Sequence, residues 1–336
     1  MDLKRIFYFL LVLLFASCKS ENAPKDLQRA VYFWKTNFEL SQKEKVFLEE
    51  NEIKKIYLRF FDVDMLQNEA IPKGIVSIKT KVNQEIVPTV FITNRVFERL
   101  KFEQIEVLST NVLGQINKIS NAHKEIQFDC DWTLSTKNKY FFFLENIKEK
   151  SPKSMKFSAT IRLHQIKFYE KTGIPPVDEG VLMLYNTGDW RKLSAENSLF
   201  DAQTTMNYLD NLSEYRINLT FAFPFFQQVL AYRNGIFYTF IKNCTLSEIK
   251  VNEAFEKTKT ENQFLCKKDV QFKNISFREN DILKFENSEF EKVNKTKNRI
   301  LQKTKALKTT IILYHLDEKS LSNYNQRQIQ EFFSQN

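Results

Sequence analysis

The chain has 336 residues, enough for one large barrel or two smaller domains. Its 50 Lys and Arg exceed its 41 Asp and Glu, for a formal charge of +9. Apart from the Lys-dotted tract 292–308 there is no dense basic block, so the charge reads as a mildly basic, solvated surface and not a nucleic-acid footprint.

At the N-terminus, Lys4-Arg5 precedes an apolar run from Ile6 to Phe15, and Leu14-Phe15-Ala16-Ser17-Cys18 follows. A short basic segment, an apolar stretch too short to be a comfortable membrane span and small residues before a cleavage point make a secretory signal. With Cys in the last position, the segment resembles a bacterial lipoprotein lipobox. That resemblance implies cleavage before Cys18, loss of residues 1–17, acyl chains on Cys18 and a lipid-anchored place in the cell envelope. Lys19-Ser20-Glu21 puts no Asp directly after the Cys, so inner-membrane retention is not signalled, and it resembles surface-export signals of Bacteroidetes lipoproteins. The expected location is the outer membrane, with its face left open. Residues 18–29 are polar and read as a tether.

A strand–helix rhythm then begins. Strands are predicted over 30–34, 55–62, 86–93, 125–131, 156–164, 180–186 and 215–223. Ser41 and Glu44 form a capping box for a helix over 41–51, with Val46, Phe47 and Ile53 as its apolar face. Ile105, Leu108, Val112, Ile116 and Ile119 stand at helical spacing within 103–120. Further helices are predicted over 137–150, 168–172 and 201–212. Near-continuous apolar strands in such alternation argue for a parallel sheet covered on both faces. The eighth strand lies at 235–241 or at 309–315. The second has the right form, because an amphipathic helix follows it over 325–333. The expected fold is α/β: a (β/α)8 TIM barrel with strands 1–7 in 30–234, an insertion over 235–305, and the closing strand and terminal helix in 306–336. Extra strands are expected in the insertion over 235–241 and 281–285. No GxGxxG or P-loop follows any strand, which disfavours a doubly wound nucleotide-binding sheet. Cys244 and Cys266, both in the insertion, could pair in an oxidising compartment.

A barrel of this kind builds its site from the C-terminal ends of its strands. Those ends supply Trp34, Arg59, Asp62, Asp64, Asp129, Asp131, Trp132, Arg162, His164, Tyr185, Asn186, Tyr314 and His315. Carboxylates handle protons and hydroxyls, and flat rings stack on sugar faces, but strand ends also meet water in any barrel and are polar for that reason alone. Asp129 and Asp131, two apart, share one face of a strand; Cys130 between them faces the other way and packs. Two carboxylates from different strands, such as Asp62 and Asp131, could stand at hydrolase distances. The plainer reading has Asp131 bonded to Arg59 or Arg162, holding the mouth together.

Phe128-Asp129-Cys130-Asp131-Trp132-Thr133 resembles the fourth-strand motif of family 18 glycoside hydrolases, the chitinase-like barrels, which runs apolar-Asp-apolar-Asp-Trp-Glu. Met183-Leu184-Tyr185-Asn186 resembles their Met-x-Tyr-Asp/Asn segment on the sixth strand. The resemblance implies that architecture and a saccharide cleft, in which the Asp beside the motif's Glu and the Tyr hold an acetamido group. The sequence departs where the family has its general acid: the Glu position is Thr133, and the first Asp of the longer motif is Ile126. A threonine hydroxyl cannot protonate a leaving oxygen at neutral pH. The whole chain also resembles barrel-like lipoproteins of Bacteroidetes. The expectation is a glycan ligand, bound or processed, with Trp34, Arg59, Trp132, Arg162, His164, Tyr185, Asn186 and Tyr314 as binding residues. Asp129, Asp131 and Asp62 are the catalytic candidates. Three His and no CxxC give no reason to expect a metal, and no cofactor is expected. The other reading is a non-enzymatic envelope lipoprotein with a structural or binding role.

Overall fold

A computed structural model describes residues 26–334 apart from 305 and 307; the expected signal sequence and Cys18 lie outside the described residues. Eight parallel strands close on themselves. They are β1 (Asp26–Phe33), β2 (Lys55–Leu66), β3 (Glu85–Ile92), β4 (Glu125–Asp129), β5 (Lys156–Arg162), β6 (Glu179–Met183), β7 (Asn218–Pro224) and β8 (Lys308–Tyr314). β8 pairs with β1 from Asp26↔Lys308 to Val31↔Leu313, and β1 pairs with β2 from Ala30↔Lys55 to Phe33↔Leu58, which completes the ring. The closing strand is therefore 308–314. Residues 26–29, expected in the tether, belong to β1, because the β8 backbone takes up their hydrogen bonds whatever their side chains.

The sequence sets most covering helices by caps and spacing. Helix α1 (Gln42–Glu50) starts at Ser41, whose hydroxyl accepts from the Glu44 N–H at 3.2 Å while the Glu44 carboxylate accepts from the Ser41 N–H at 2.9 Å. It buries Phe47 and Leu48, whereas Val46, expected on the apolar face, is 37% exposed. Helix α2 (Phe102–Ile119) buries Ile105, Leu108, Val112 and Ile116. Helix α3 (Lys137–Glu149) follows β4. The expected helix over 201–212 is shorter: Asp201 caps Ala202–Asn207 and the segment then turns. No helix links β2 to β3. Instead β2 runs past the barrel and folds back on Glu69–Lys73 as an antiparallel hairpin.

Alternation along the strands makes two cores. Val31, Phe33, Ile56, Leu58 and Phe128 point outward into the large cluster beneath the helices. Ala30, Tyr32, Tyr57, Val181, Met183 and Ile312 form the inner cluster that fills the barrel.

Between β7 and helix α4 (Phe290–Lys303) stands a lobe with its own five-stranded sheet. Its first strand, Gln227–Arg233, pairs with both Ile236–Phe240 and Ile282–Asn287, so the lobe begins before the expected boundary at 235. Helix α4 returns to the barrel and buries Val293, Ile300 and Leu301 in the main core, although the insertion was expected to run to 305. Cys244 and Cys266, which could have paired, are free thiols in the lobe core, and both pack there as small apolar side chains.

Candidate functional site

The inner face of β4 organises the site. Glu125, Gln127, Asp129 and Asp131 alternate with Ile126, Phe128, Cys130 and Trp132. A period of two puts the first set inside the barrel and the second against the helices. Facing residues of β5 meet the acids as rungs. At the base the Ser158 hydroxyl donates to Glu125 at 2.6 Å, and the Lys55 ammonium reaches the other Glu125 oxygen at 2.6 Å. Higher up, the Thr160 hydroxyl donates to Asp129 at 2.6 Å. At the mouth, Arg162 grips Asp131 with two bonds, Nε to Oδ1 and Nη2 to Oδ2, the latter at 3.0 Å. Gln127, between the first two rungs, accepts from the Tyr32 hydroxyl at 2.7 Å and from Thr89 at 3.3 Å.

Burial tunes Asp129 and, on β6 at the far side of β5, Glu179. It pushes the Asp129 carboxyl up to about 6; the Arg162 charge opposes that shift and Asp131 adds to it. At the base, burial followed by repulsion from Glu125 raises Glu179 to about 7.

Above the upper rungs the mouth opens as a cavity of about 190 Å³, lined by Asp129, Asp131, Thr160 and Arg162 together with Tyr32, Trp34, Tyr185, Asn186 and Tyr314. Tyr185 and Tyr314 stack at 4.4 Å between ring centroids, and Tyr32 meets the edges of both Trp34 and Tyr314. The cavity continues past Asp131 and Arg162 into a groove of about 380 Å³ that reaches His164, Trp190 and Tyr208. Asn186, at the turn of this groove, takes a left-handed backbone (φ 55°) that asparagine tolerates well.

Six of the predicted binding residues thus line the cleft: Trp34, Arg162, His164, Tyr185, Asn186 and Tyr314. Three expected residues do not. Trp132 is 1% exposed on the outer side of β4, stacked on Tyr140 of α3, with its indole N–H donating to the Thr172 carbonyl at 3.0 Å. The parity that sends Cys130 away from the aspartates sends Trp132 with it. Arg59 lies beneath the β2 hairpin, where a bulge between Arg59 and Phe61 turns it onto Asp62. Its Nε and Nη2 donate to Asp62 at 2.7 and 2.5 Å, and Nη1 reaches the Gly74 carbonyl. Gly74 takes a left-handed backbone (φ 58°), and a Cβ there would stand 2.7 Å from the Arg59 guanidinium and displace it. Asp62 is consequently bound up in the strut with Arg59. Asp64 is held likewise by Arg95, Lys73 and Thr93. Sequence reading overlooked Tyr32 and Thr160, which the same alternation along β1 and β5 turns inward. It also overlooked Trp190, on a loop whose path has no local signal. Among the described residues no three His, Cys, Asp or Glu converge as a metal site.

No protein-family model matches the sequence, and no curated relative does. Solved structures do. A chitinase from Chromobacterium violaceum ATCC 12472 aligns with a TM-score of 0.55 and 10% identity over 92% of this chain and 100% of that one. The spore cortex-lytic enzyme SleL from Bacillus megaterium QM B1551 gives 0.54 and 12% over 94% and 76%. The GH18 chitinase ChiB from the chitin utilization locus of Flavobacterium johnsoniae gives 0.51 and 12% over 92% and 94%. The fold is a TIM barrel, similar in shape to the barrels of these enzymes. In this TIM barrel Thr133 is an exposed residue of the turn into α3, its hydroxyl bonded to Ser135 and Thr136, so the position after Trp132 brings no acid to the mouth.

Proposed function

We propose that the protein is a lipid-anchored component of the cell envelope whose barrel mouth binds a glycan without hydrolysing it. One observation carries the reading: the cleft offers the Tyr185–Tyr314 stack, Trp34 and hydrogen-bonding groups, while both of its acids are engaged. Asp131 is held by the Arg162 fork, and Asp129 accepts from Thr160 beneath it. Hydrolysis needs an acid free to reach the leaving oxygen. The neighbours of like fold, named as chitinases and a cortex-lytic enzyme, support a polymer of amino sugars as the ligand class. A second reading, hydrolysis with Asp129 as the acid, has its raised pKa of about 6 in its favour.

The lipid anchor rests on Cys18 and the segment before it. β1 enters the barrel at Asp26, at the N-terminal end of the strands. Residues 19–25 span at most about 25 Å, so an acylated Cys18 would hold the base of the barrel toward the membrane and turn the mouth away from it. Cys18→Ser is expected to move the protein from the membrane to the soluble fraction.

Calorimetric titration of chito-oligosaccharides and solubilised peptidoglycan strands, beside a reducing-end assay, tests the function. Binding that weakens at least tenfold in Tyr185→Ala, with no new reducing ends, is the expected result. Reducing ends that vanish in Asp129→Asn establish the second reading. Binding to neither polymer overturns both.

A further inference from the structure

The lobe and the barrel enclose another cavity, of about 400 Å³, which the mouth does not use. Lys35 and His315 come to it from beyond the ends of β1 and β8, Lys242 and Asn243 from the lobe, and Lys319 and Asn323 from the segment after β8. Asp317 is the single acid in its lining and is already engaged. It accepts from the Lys35 ammonium at 2.6 Å and from the Ser320 N–H and hydroxyl, both at 3.0 Å. Nearby acids are engaged too: Glu44 accepts from the Ser41 and Glu318 N–H groups, and Glu248 pairs with Lys273. Lys242 and Lys319 make no ion pair among the described residues. Lys35 stands between Asp317 and, at 3.6 Å, Glu44, so the positive charge left to the cavity is that of Lys242 and Lys319, on a concave wall that also carries amide and hydroxyl groups. Such a wall concentrates field lines and favours an anion over a neutral solute. His315 adds an imidazole whose Nδ1 is buried without a hydrogen-bond partner.

We propose that this cavity is a second ligand site, taking an oxyanion: the carboxylate of an acidic sugar or a phosphate. It stands beside the mouth. The Phe226 ring packs against both Tyr314, which belongs to the mouth, and His315, which belongs to this cavity, with centroids 5.6 and 6.5 Å away. The site does not depend on the glycan reading, since it shares no lining residue with the mouth.

The test is calorimetric titration at low ionic strength with sodium glucuronate, inorganic phosphate and, as the neutral control, glucose. The variant is Lys242→Ala/Lys319→Ala, two exposed positions. Lys118→Ala/Lys153→Ala removes the same charge from exposed positions at the base of the barrel and controls for general attraction. Millimolar binding of either anion, weakened at least tenfold in the first variant and unchanged in the second and in Tyr185→Ala, is the expected result. Glucuronate alone identifies the carboxylate, and phosphate alone identifies the phosphoryl group. Equal binding by wild type and the Lys242/Lys319 variant, equal loss in both charge variants, or binding of neither anion overturns the proposal.

Discussion

Arg162 and Asp131 meet across the β4–β5 edge of the mouth in a two-bond fork, the pair that separates cleft wall from open groove. The Asp131 side chain is 50% exposed, so water screens the attraction and the pair contributes about 0–1 kcal/mol to folding. Its consequence is positional: two parallel bonds fix both side chains where a ligand would touch them. Arg162→Lys keeps the charge and loses the fork. Urea unfolding is expected to stay within about 1 kcal/mol of wild type, while glycan affinity falls about tenfold, or about 1.4 kcal/mol. Unchanged affinity would reduce the pair to a strut.

Asp129 and Glu179 make stability fall as pH rises. Each has a folded pKa above its ordinary value, about 6 against 3.8 and about 7 against 4.5. The folded chain therefore holds more protons than the unfolded chain between those limits, and the stability present at low pH is lost as each folded pKa is passed. Acids with lowered pKa, such as Glu286 and Asp281, act the other way below their ordinary values, outside most of this window, while His123, His164 and His315, whose pKa burial lowers from 6.5, oppose the fall within it. The unfolding free energy from urea titration is expected to fall between pH 4 and 7, Asp129 and Glu179 together contributing on the order of a few kcal/mol to that fall. Asp129→Asn should flatten the lower part of that curve and Glu179→Gln the upper part. A profile that neither substitution alters would assign the slope elsewhere.

Trp132 should matter to folding and not to the ligand. Its ring is buried against Tyr140, and its N–H is bonded to Thr172. Trp132→Phe loses that bond and part of the stack, costing about 1–3 kcal/mol. Thermal unfolding should register the loss while titration of the folded variant gives wild-type glycan affinity. A selective fall in affinity at unchanged stability would return Trp132 to the site.

The difference between what could and could not be read in advance follows from range. Strand–helix alternation and the amphipathic segment after 315 carry the barrel, because each signal is local and repeated. The lobe's start is not local: Gln227–Arg233 is apolar enough to pass for barrel chain, and only its partners at 236–240 and 282–287 assign it to the lobe. Within the site, the alternation Glu125-Ile126-Gln127-Phe128-Asp129-Cys130-Asp131 already contained the inward ladder and the outward Trp132. Sequence reading took from it the shared face of Asp129 and Asp131 and the opposed Cys130, but did not extend the same parity down to Glu125 and Gln127 or up to Trp132. The capture of Asp62 by Arg59 depends on a bulge and on Gly74, fifteen residues beyond the arginine, and no spacing rule reports such a contact.

Lys297 closes the fold at its far end. It is fully buried on α4, and its ammonium donates to the carbonyls of Glu331, Phe332 and Ser334 at 3.1, 2.8 and 2.9 Å. These end the terminal helix Gln326–Phe333, whose last carbonyls have no partner within the helix. Burial, opposed by Glu331, lowers its pKa to about 8. Between 8 and the ordinary 10.5 the unfolded chain holds more of this proton, so the contribution of Lys297 to stability rises with pH through that window, against the fall contributed by Cys130, Cys244 and Cys266, whose thiol pKa burial raises. Lys297→Met keeps the volume but removes the donor from carbonyls that stay buried, at a cost of about 1–3 kcal/mol near pH 7. Urea unfolding of both proteins from pH 7 to 10 should give the variant a lower midpoint at pH 7 and a gap from wild type that widens above pH 8. A gap that stays constant would show that Lys297 does not titrate in this range.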